Sequence, residues 1–222
     1  ILINYASNKA AAEETLSLIQ QAGGTGELMH FDVKDGAAVK TAVENWYTDN
    51  PEGIIHVLVN NAGITKDNLF PWVTEDDWDF QIDTNLKATF FLNRAARDSF
   101  RKAGTKGSIV NFSSQGWWTG GFGGSVVYAA SKGGVVTMTK GLARSFAPDG
   151  VRVNSVSPGG VDTQMMVGNQ TPEALAGFVS MIPLGRLATP EELAGPVIFL
   201  ASDASSYITG AVLNVSGGQL MY

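Results

Sequence analysis

Short apolar runs alternate along this chain with helix-length amphipathic stretches, and that alternation limits the fold more than any other feature. The runs "ILINY" (1–5), "ELMHFDV" (27–33), "IIHVLVN" (54–60), "GSIVNFSS" (107–114), "VRVNSVS" (151–157) and "AVLNVS" (211–216) read as strands. Between them, 8–22, 36–49, 75–102, 125–147 and 190–201 read as helices. In the first helix Leu16, Leu18 and Ile19 are expected to face inward, and Gly23-Gly24 to stop it. The run 54–60 is nearly continuously apolar, as expected of a parallel strand buried on both faces. This order predicts an α/β fold, a doubly wound, Rossmann-like parallel sheet with helices on both faces. No repeat, low-complexity run or linker interrupts it, so residues 1–222 read as one domain. Chemistry in such sheets gathers beyond the carboxyl ends of the strands.

Composition narrows the function. A net charge of −6 and a pI of about 4.9 argue against a nucleic-acid groove or an anionic membrane surface. With no cysteine, disulfides and thiolate metal sites are excluded, and no metal site is predicted. His30 and His56 both fall at or beside strands, where a structural role is the better reading. No apolar run reaches the ~18–20 residues needed to span a bilayer. A cytoplasmic location is expected, with the sequons at Asn111, Asn169 and Asn214 read as chance occurrences.

The strongest chemical signal is "YAASK", which places Tyr128 and Lys132 four apart on one helix face. A phenol with pKa near 10 is a poor acid–base group at neutral pH, and a neighbouring ammonium is expected to lower that value. Alone, the pair is a common helix-surface pattern. Its context is not common. Upstream a strand ends in Ser113-Ser114, "VNNAG" (59–63) follows another strand, and Asn85 lies in "DTNLKATFF". Downstream, "SPGGVDT" (157–163) follows a third strand.

Taken together, in this order and over residues 1–222, these motifs resemble the short-chain dehydrogenase/reductase superfamily. The resemblance implies a ketone reductase that transfers a hydride from a nicotinamide cofactor. Tyr128 would be the acid–base group, and Lys132 would lower its pKa and bind the nicotinamide ribose. Ser114 would hydrogen-bond the substrate carbonyl, and Asn85 would hold a water relaying protons to Lys132. Asn60, Ala62 and Gly63 would shape the cofactor side of the sheet, with Pro158, Gly159, Val161 and Thr163 along the nicotinamide. Asp32 and Val33 match the pair that contacts adenine. The serine departs from the common pattern: Ser114 to Tyr128 is 14 positions (128 − 114), one more than usual, and the usual spacing falls on Gln115. A one-residue insertion in "GWWTGGFGGS" (116–125) accounts for it, with Ser113 as the other candidate. Gln115, Trp117, Trp118 and Met165 are candidate substrate-pocket residues. The tryptophans read equally as packing or oligomer contacts, and Met165-Met166 as core filling or a mobile lid.

Cofactor choice turns on the first strand. An acid at its end would hold a ribose 2′-hydroxyl and mark NAD(H). Here Tyr5 occupies that place and no Asp or Glu appears before Glu13, while Ser7, Asn8 and Lys9 offer donors and charge to a 2′-phosphate. NADP(H) is therefore expected over NAD(H).

"NNAGITKDNLF" (60–70) and "IPLGRLATPEELA" (182–194) resemble 3-oxoacyl-carrier-protein reductases of fatty-acid synthesis, although sugar, steroid and general ketone reductases carry similar stretches. A 3-oxoacyl thioester is the first substrate expectation, and a non-catalytic dinucleotide-binding scaffold is the reading from another class. An acidic acyl carrier protein would need a basic dock, for which Arg94, Arg97, Arg101 and Lys102 are candidates; an oligomer interface is the alternative use of that helix. The family implies a homotetramer, with "YITGAVLNV" (207–215) in a protected place.

"ILINYASN" matches the second strand of this fold. The first strand, its glycine-rich turn and the first helix, on the order of 30 residues as a βα unit, are expected ahead of Ile1, and no TGxxxGxG pattern occurs in residues 1–222. A chain truly lacking them is expected to fold and to bind cofactor poorly.

Overall fold

The computed structural model describes residues 1–168 and 170–222, in two compact units, Ile1–Ile54 and Ile55–Tyr222. The first unit is a single β-α-β repeat with a second helix. β1 (Leu2–Tyr5) leads to α1 (Lys9–Gln21), β2 (Glu27–His30) and α2 (Gly36–Asp49). β1 and β2 pair in parallel from Leu2↔Glu27 to Tyr5↔His30. Each helix starts on a polar cap: the Asn8 carboxamide oxygen accepts from Ala11 N, and the Asp35 carboxylate from Ala37 N and Ala38 N. The inward stripe of α1 is Ala12, Leu16 and Ile19, not Leu18, which is 60% exposed. At 100° per residue Leu18 lies off the i, i+4, i+7 line that the other three share.

The second unit holds a four-stranded parallel sheet in the order β3-β4-β5-β6, formed by β3 (Val57–Asn60), β4 (Gly107–Phe112), β5 (Val151–Pro158) and β6 (Val212–Val215). Helices connect them: α3 (Glu75–Ile82), a π turn (Asp83–Lys87) and α4 (Ala88–Lys102), then α5 (Gly116–Thr119) and α6 (Val126–Phe146). After β5 come α7 (Gln164–Val167), α8 (Pro172–Ser180) and α9 (Pro190–Ala201).

Neighbouring residues of β4 point to opposite faces, so the sheet makes two cores. Ile109 packs with Phe100, Ala143, Phe146, Val151 and Val153, under α4 and α6. Val110 packs with Val156, Leu193 and Leu200, under α9. Helices thus cover both faces, as the alternation of apolar runs predicts. Gly107 permits the first core to close, since a Cβ there would stand 2.2 Å from the Phe100 ring. β3 is the exception to the predicted burial. It is shorter than the run 54–60, and Val57 and Val59 are 38% and 40% exposed. It is an edge strand of this sheet, and Leu58 is its residue that packs against the Phe100 core.

Candidate active site

The site forms where β3, β4 and β5 end. β4 delivers Ser113 and Ser114, and α6 presents Tyr128 and Lys132 one turn apart. The two serines have different surroundings. Ser113 is buried, and its hydroxyl donates to the Lys132 carbonyl at 2.9 Å. Ser114 instead lies beside Tyr128, where its hydroxyl favours the phenolate. The one-residue displacement relative to Tyr128 falls in a loop with Gly120, Gly121, Gly123 and Gly124 all at positive φ, where extra length is easily accommodated.

Lys132 is buried, with Nζ donating to the Phe112 carbonyl at 2.9 Å and lying 5.6 Å from the Tyr128 ring centroid. Burial pulls its pKa down to about 8. Tyr128 does not follow the expected direction. Burial raises its pKa, the Asp67 charge acts the same way, and Ser114 opposes them. Loss of water around the phenol outweighs the favourable neighbours.

Asn85 lies in the π turn, inside what the sequence presents as one uninterrupted helix. Such turns occur mostly as single insertions within α-helices, frequently at functional sites. Its carboxamide bridges the β3–α3 loop and α6: Oδ1 accepts from Ile64 N at 2.9 Å, while Nδ2 donates to Ile64 O at 2.9 Å and Ser131 Oγ at 3.1 Å. Ser131 passes the contact on, donating to the Tyr128 carbonyl at 2.7 Å. Gly63 lies against this group; a Cβ there would stand 3.3 Å from Lys132 Nζ and 3.5 Å from Asn85 Oδ1.

Asn60 is buried differently from expectation. Its amide donates to Asn111 Oδ1 at 2.8 Å, in a ladder that continues from Asn111 to Thr139 at 3.0 Å. That buried position also rules out glycosylation of Asn111, which is wholly inaccessible. Asn214 Nδ2 donates to the Leu220 carbonyl at 2.6 Å, and Asn169 lies outside the described residues. Ala62 is exposed; Pro158, Gly159 and Val161 are half-buried, and Thr163 is exposed at the start of α7. Among the substrate candidates, Gln115 is buried, Trp117 half-buried, and Trp118 and Met165 more than half exposed. Tyr5, Ser7, Asn8, Asp32 and Val33 belong to the first unit. There Tyr5 packs on His30 at 5.0 Å, Ser7 and Asn8 are exposed, and Asp32 accepts from Lys34 N. Lys9 is paired with Glu13 at 3.1 Å.

Sequence reading missed the clip that shapes the β3–α3 loop. Buried Asp77 caps α3 in a Thr74–Asp77 capping box, pairs with Lys66, and accepts from Asn68 Nδ2 at 2.7 Å. Lys66 and the Thr74 N–H hold its carboxyl well below the ordinary range. Gln81 grips the Lys66 backbone from both sides at 3.2 Å. The T-x-x-D spacing in "TEDD" is the signal that was available.

Residues 1–219 match the family described as enoyl-(acyl carrier protein) reductase. The chain belongs to the short-chain dehydrogenase/reductase family. It is 43% identical over 208 residues to the 3-oxoacyl-[acyl-carrier-protein] reductase of Thermotoga maritima, covering 91% of this chain and 81% of that protein. It is 39% identical over 223 residues to the (3R)-3-hydroxyacyl-CoA dehydrogenase of Rattus norvegicus, covering 96% and 83%. A crystal structure of a candidate gluconate dehydrogenase from Agrobacterium tumefaciens superposes with a TM-score of 0.92 at 30% identity, covering 100% of this chain and 86% of that one. Membership makes this chain an oxidoreductase and implies a nicotinamide dinucleotide cofactor.

The residues present fit such a cofactor. A lysine ammonium carries three N–H donors, and among the described residues Lys132 Nζ donates only to Phe112. Its remaining donors, beside the side-chain-free Gly63, suit ribose hydroxyls. Gln115 Oε1 is buried without a protein donor, close to Gly159. Among the described residues no helix is long and apolar enough to cross a membrane, and no cluster of His, Asp and Glu could hold a metal.

Proposed function

We propose that this protein is an NADP(H)-dependent reductase that converts a 3-oxoacyl thioester to the 3-hydroxyacyl product. The carrying observation is the convergence of Ser114, Tyr128 and Lys132 at the carboxyl end of β4. When bound, the nicotinamide supplies the hydride to the carbonyl carbon. Ser114 holds the carbonyl oxygen, and Tyr128 gives that oxygen its proton, so hydride plus proton yields the secondary alcohol. The phenolate left on Tyr128 is stabilised by the Lys132 ammonium. Asn85 fixes the Ile64 backbone and Ser131 around this pair, and holds the water that refills the proton. A bound cofactor would have Pro158, Gly159, Val161 and Thr163 on its nicotinamide side, with Asn60, Ala62 and Gly63 opposite. In the first unit, Asp32 and Val33 are the adenine contacts that the family resemblance implies.

The preference for the phosphorylated cofactor rests on the β1–α1 turn, where Tyr5, Ser7 and Asn8 offer no carboxylate to repel a 2′-phosphate. Support for the thioester comes from relatives named for acyl-carrier-protein and CoA chemistry. A polyhydroxy acid is the second reading, favoured by the structural neighbour. Turnover of acetoacetyl thioester, with NADPH and NADH, against sugars and cyclic ketones tests both; thioester turnover below that of a sugar, or equal use of NADH, overturns the proposal. Tyr128→Phe should abolish turnover and retain cofactor affinity, and intact turnover would favour the scaffold reading.

The acyl carrier protein would dock on the α4 cations that remain exposed. Arg97 and Arg101 are paired with Asp149 at 2.7 and 3.4 Å, which leaves Arg94 and Lys102. A second copy of the chain would cover the α4–α6 face, an open apolar groove of about 460 Å³ lined by Leu86, Phe90, Phe91, Met138 and Leu142. Tyr207, wholly exposed, would be covered in the same homotetramer. Sedimentation should report four copies, and cell fractionation should find the protein in the cytoplasm.

A further inference from the structure

Tyr222 has no role in the reading above, yet it stands beside the catalytic serine's loop. Its ring stacks on Trp118, with centroids 5.4 Å apart and planes 25° apart, and meets Trp117 edge-on at 5.3 Å. Trp117 anchors the group: its indole N–H donates to Ser157 Oγ at 3.2 Å, and its backbone N–H to the Ser114 carbonyl at 3.1 Å. Ser157 is wholly buried at the end of β5, so this ring is fixed. The other two rings are not core residues. Trp118 is 57% exposed and Tyr222 48%. The exposed faces of Trp118, four residues after Ser114, and of Tyr222 leave hydrocarbon area to bury.

Charge around this face is one-sided. Segments 114–125, 157–163 and 214–222 contain no Lys or Arg, and their one charged residue is Asp162. The β3–α3 loop adds Asp67 and Lys66, and Lys66 is paired with Asp77. A substrate carboxylate brought against these segments would lose its water and find no cation on them.

The geometry points to Tyr222 as a specificity-determining residue: with Trp118 it forms an aromatic shelf that receives an apolar chain or ring attached to the reacting carbonyl, and the site takes uncharged substrates with a sizeable hydrocarbon group over anionic, polyhydroxylated ones. This rests on the carbonyl-reductase reading above and names its substrate class.

The test compares kcat/KM for two substrate pairs in the wild type and in Trp118→Ala, Tyr222→Ala and Tyr222→Phe. One pair is acetoacetyl and 3-oxodecanoyl N-acetylcysteamine thioester; the other is butanone and an aryl methyl ketone. In whichever pair is turned over, the larger member should be preferred on the order of tenfold or more. That preference should fall to within about threefold in both alanine variants, chiefly through loss on the larger member, and persist in Tyr222→Phe. A preference unchanged in the alanine variants, an equal loss on both members, or faster turnover of gluconate than of either pair overturns the shelf. Turnover of the ketone pair alone, with its shelf dependence intact, overturns the thioester reading and keeps the shelf. Turnover of neither pair overturns both.

Discussion

Ser113 and Ser114 are adjacent but differently surrounded, and a pair of alanine substitutions separates the roles proposed for them. Ser113 is 3% exposed and spends its hydroxyl on the Lys132 carbonyl at 2.9 Å. Removing that donor takes one hydrogen bond from a carbonyl that keeps its partner within α6, a cost of about 0.5–1.5 kcal/mol. For a chain of this length each kcal/mol moves Tm by roughly 2–4 °C, so Ser113→Ala should melt lower by roughly 1–6 °C and keep most of its turnover per folded molecule. Ser114 is half-buried, and its hydroxyl faces Tyr128 while accepting from Gly116 N at 3.2 Å. Its removal costs little stability. As a positioned donor to the carbonyl oxygen, however, it should carry about 10²–10³ in kcat. Melting curves and thioester reduction on the two variants decide the matter. Turnover lost in Ser113→Ala at unchanged Tm, with Ser114→Ala active, would refute the reasoning.

Three further outcomes follow from the same geometry. Asp77 has a folded pKa below its unfolded value near 4, so its stabilisation is present above about pH 4 and is lost as pH falls toward the folded value. Asp77→Asn should therefore lower the urea midpoint at pH 7, and the gap between the two proteins should narrow progressively as pH is lowered below about 4. Lys132 carries its proton below about 8 and loses it above; kcat/KM for reduction, which reports the free enzyme, should fall as pH rises through that value, and a flat profile to pH 9 would contradict the role given to the ammonium. Gly107→Ala would drive a methyl to 2.2 Å from the wholly buried Phe100 ring, an overpacking cost of about 1–3 kcal/mol or more readable as a lower urea midpoint at unchanged slope.

Element order and the shared helix face of Tyr128 and Lys132 were legible because both depend on local pattern. The helices 36–49 and 190–201 end where the structure ends them, since Asp35 and Thr189 cap them and chain breakers follow or precede. Tyr128 and Lys132 were legible because a spacing of four fixes a shared helix face. What the sequence hid is non-local. The direction of the Tyr128 shift depends on how much water α6 and its neighbours exclude, which a motif does not encode. Asn60 sits in a turn-like "NNAG", yet its amide goes to Asn111, 51 residues away. Leu18 looked inward because it is apolar, and its angle around α1 decides otherwise. Tyr222 meets Trp118 across a separation that no periodicity connects.

A backbone hydrogen bond joins the two loops that border Tyr128. Asn68 N donates to the Gly124 carbonyl at 3.2 Å, and Gly124, at φ +96°, lies so close that a Cβ would stand 2.8 Å from the Asn68 backbone. Only a glycine meets both demands. Asn68 is itself held by Asp77, and Lys66 two residues earlier by Asp77 and Gln81. The serine–tyrosine loop, rich in glycine and without regular structure after Gly120, thus takes its position from a helix cap on the opposite wall. A residue that never touches the carbonyl can therefore set how Ser114 faces Tyr128. Damage to the clip should appear as a loss of kcat with cofactor affinity retained, because Lys132 and Gly63 are held separately, through Phe112 and Asn85.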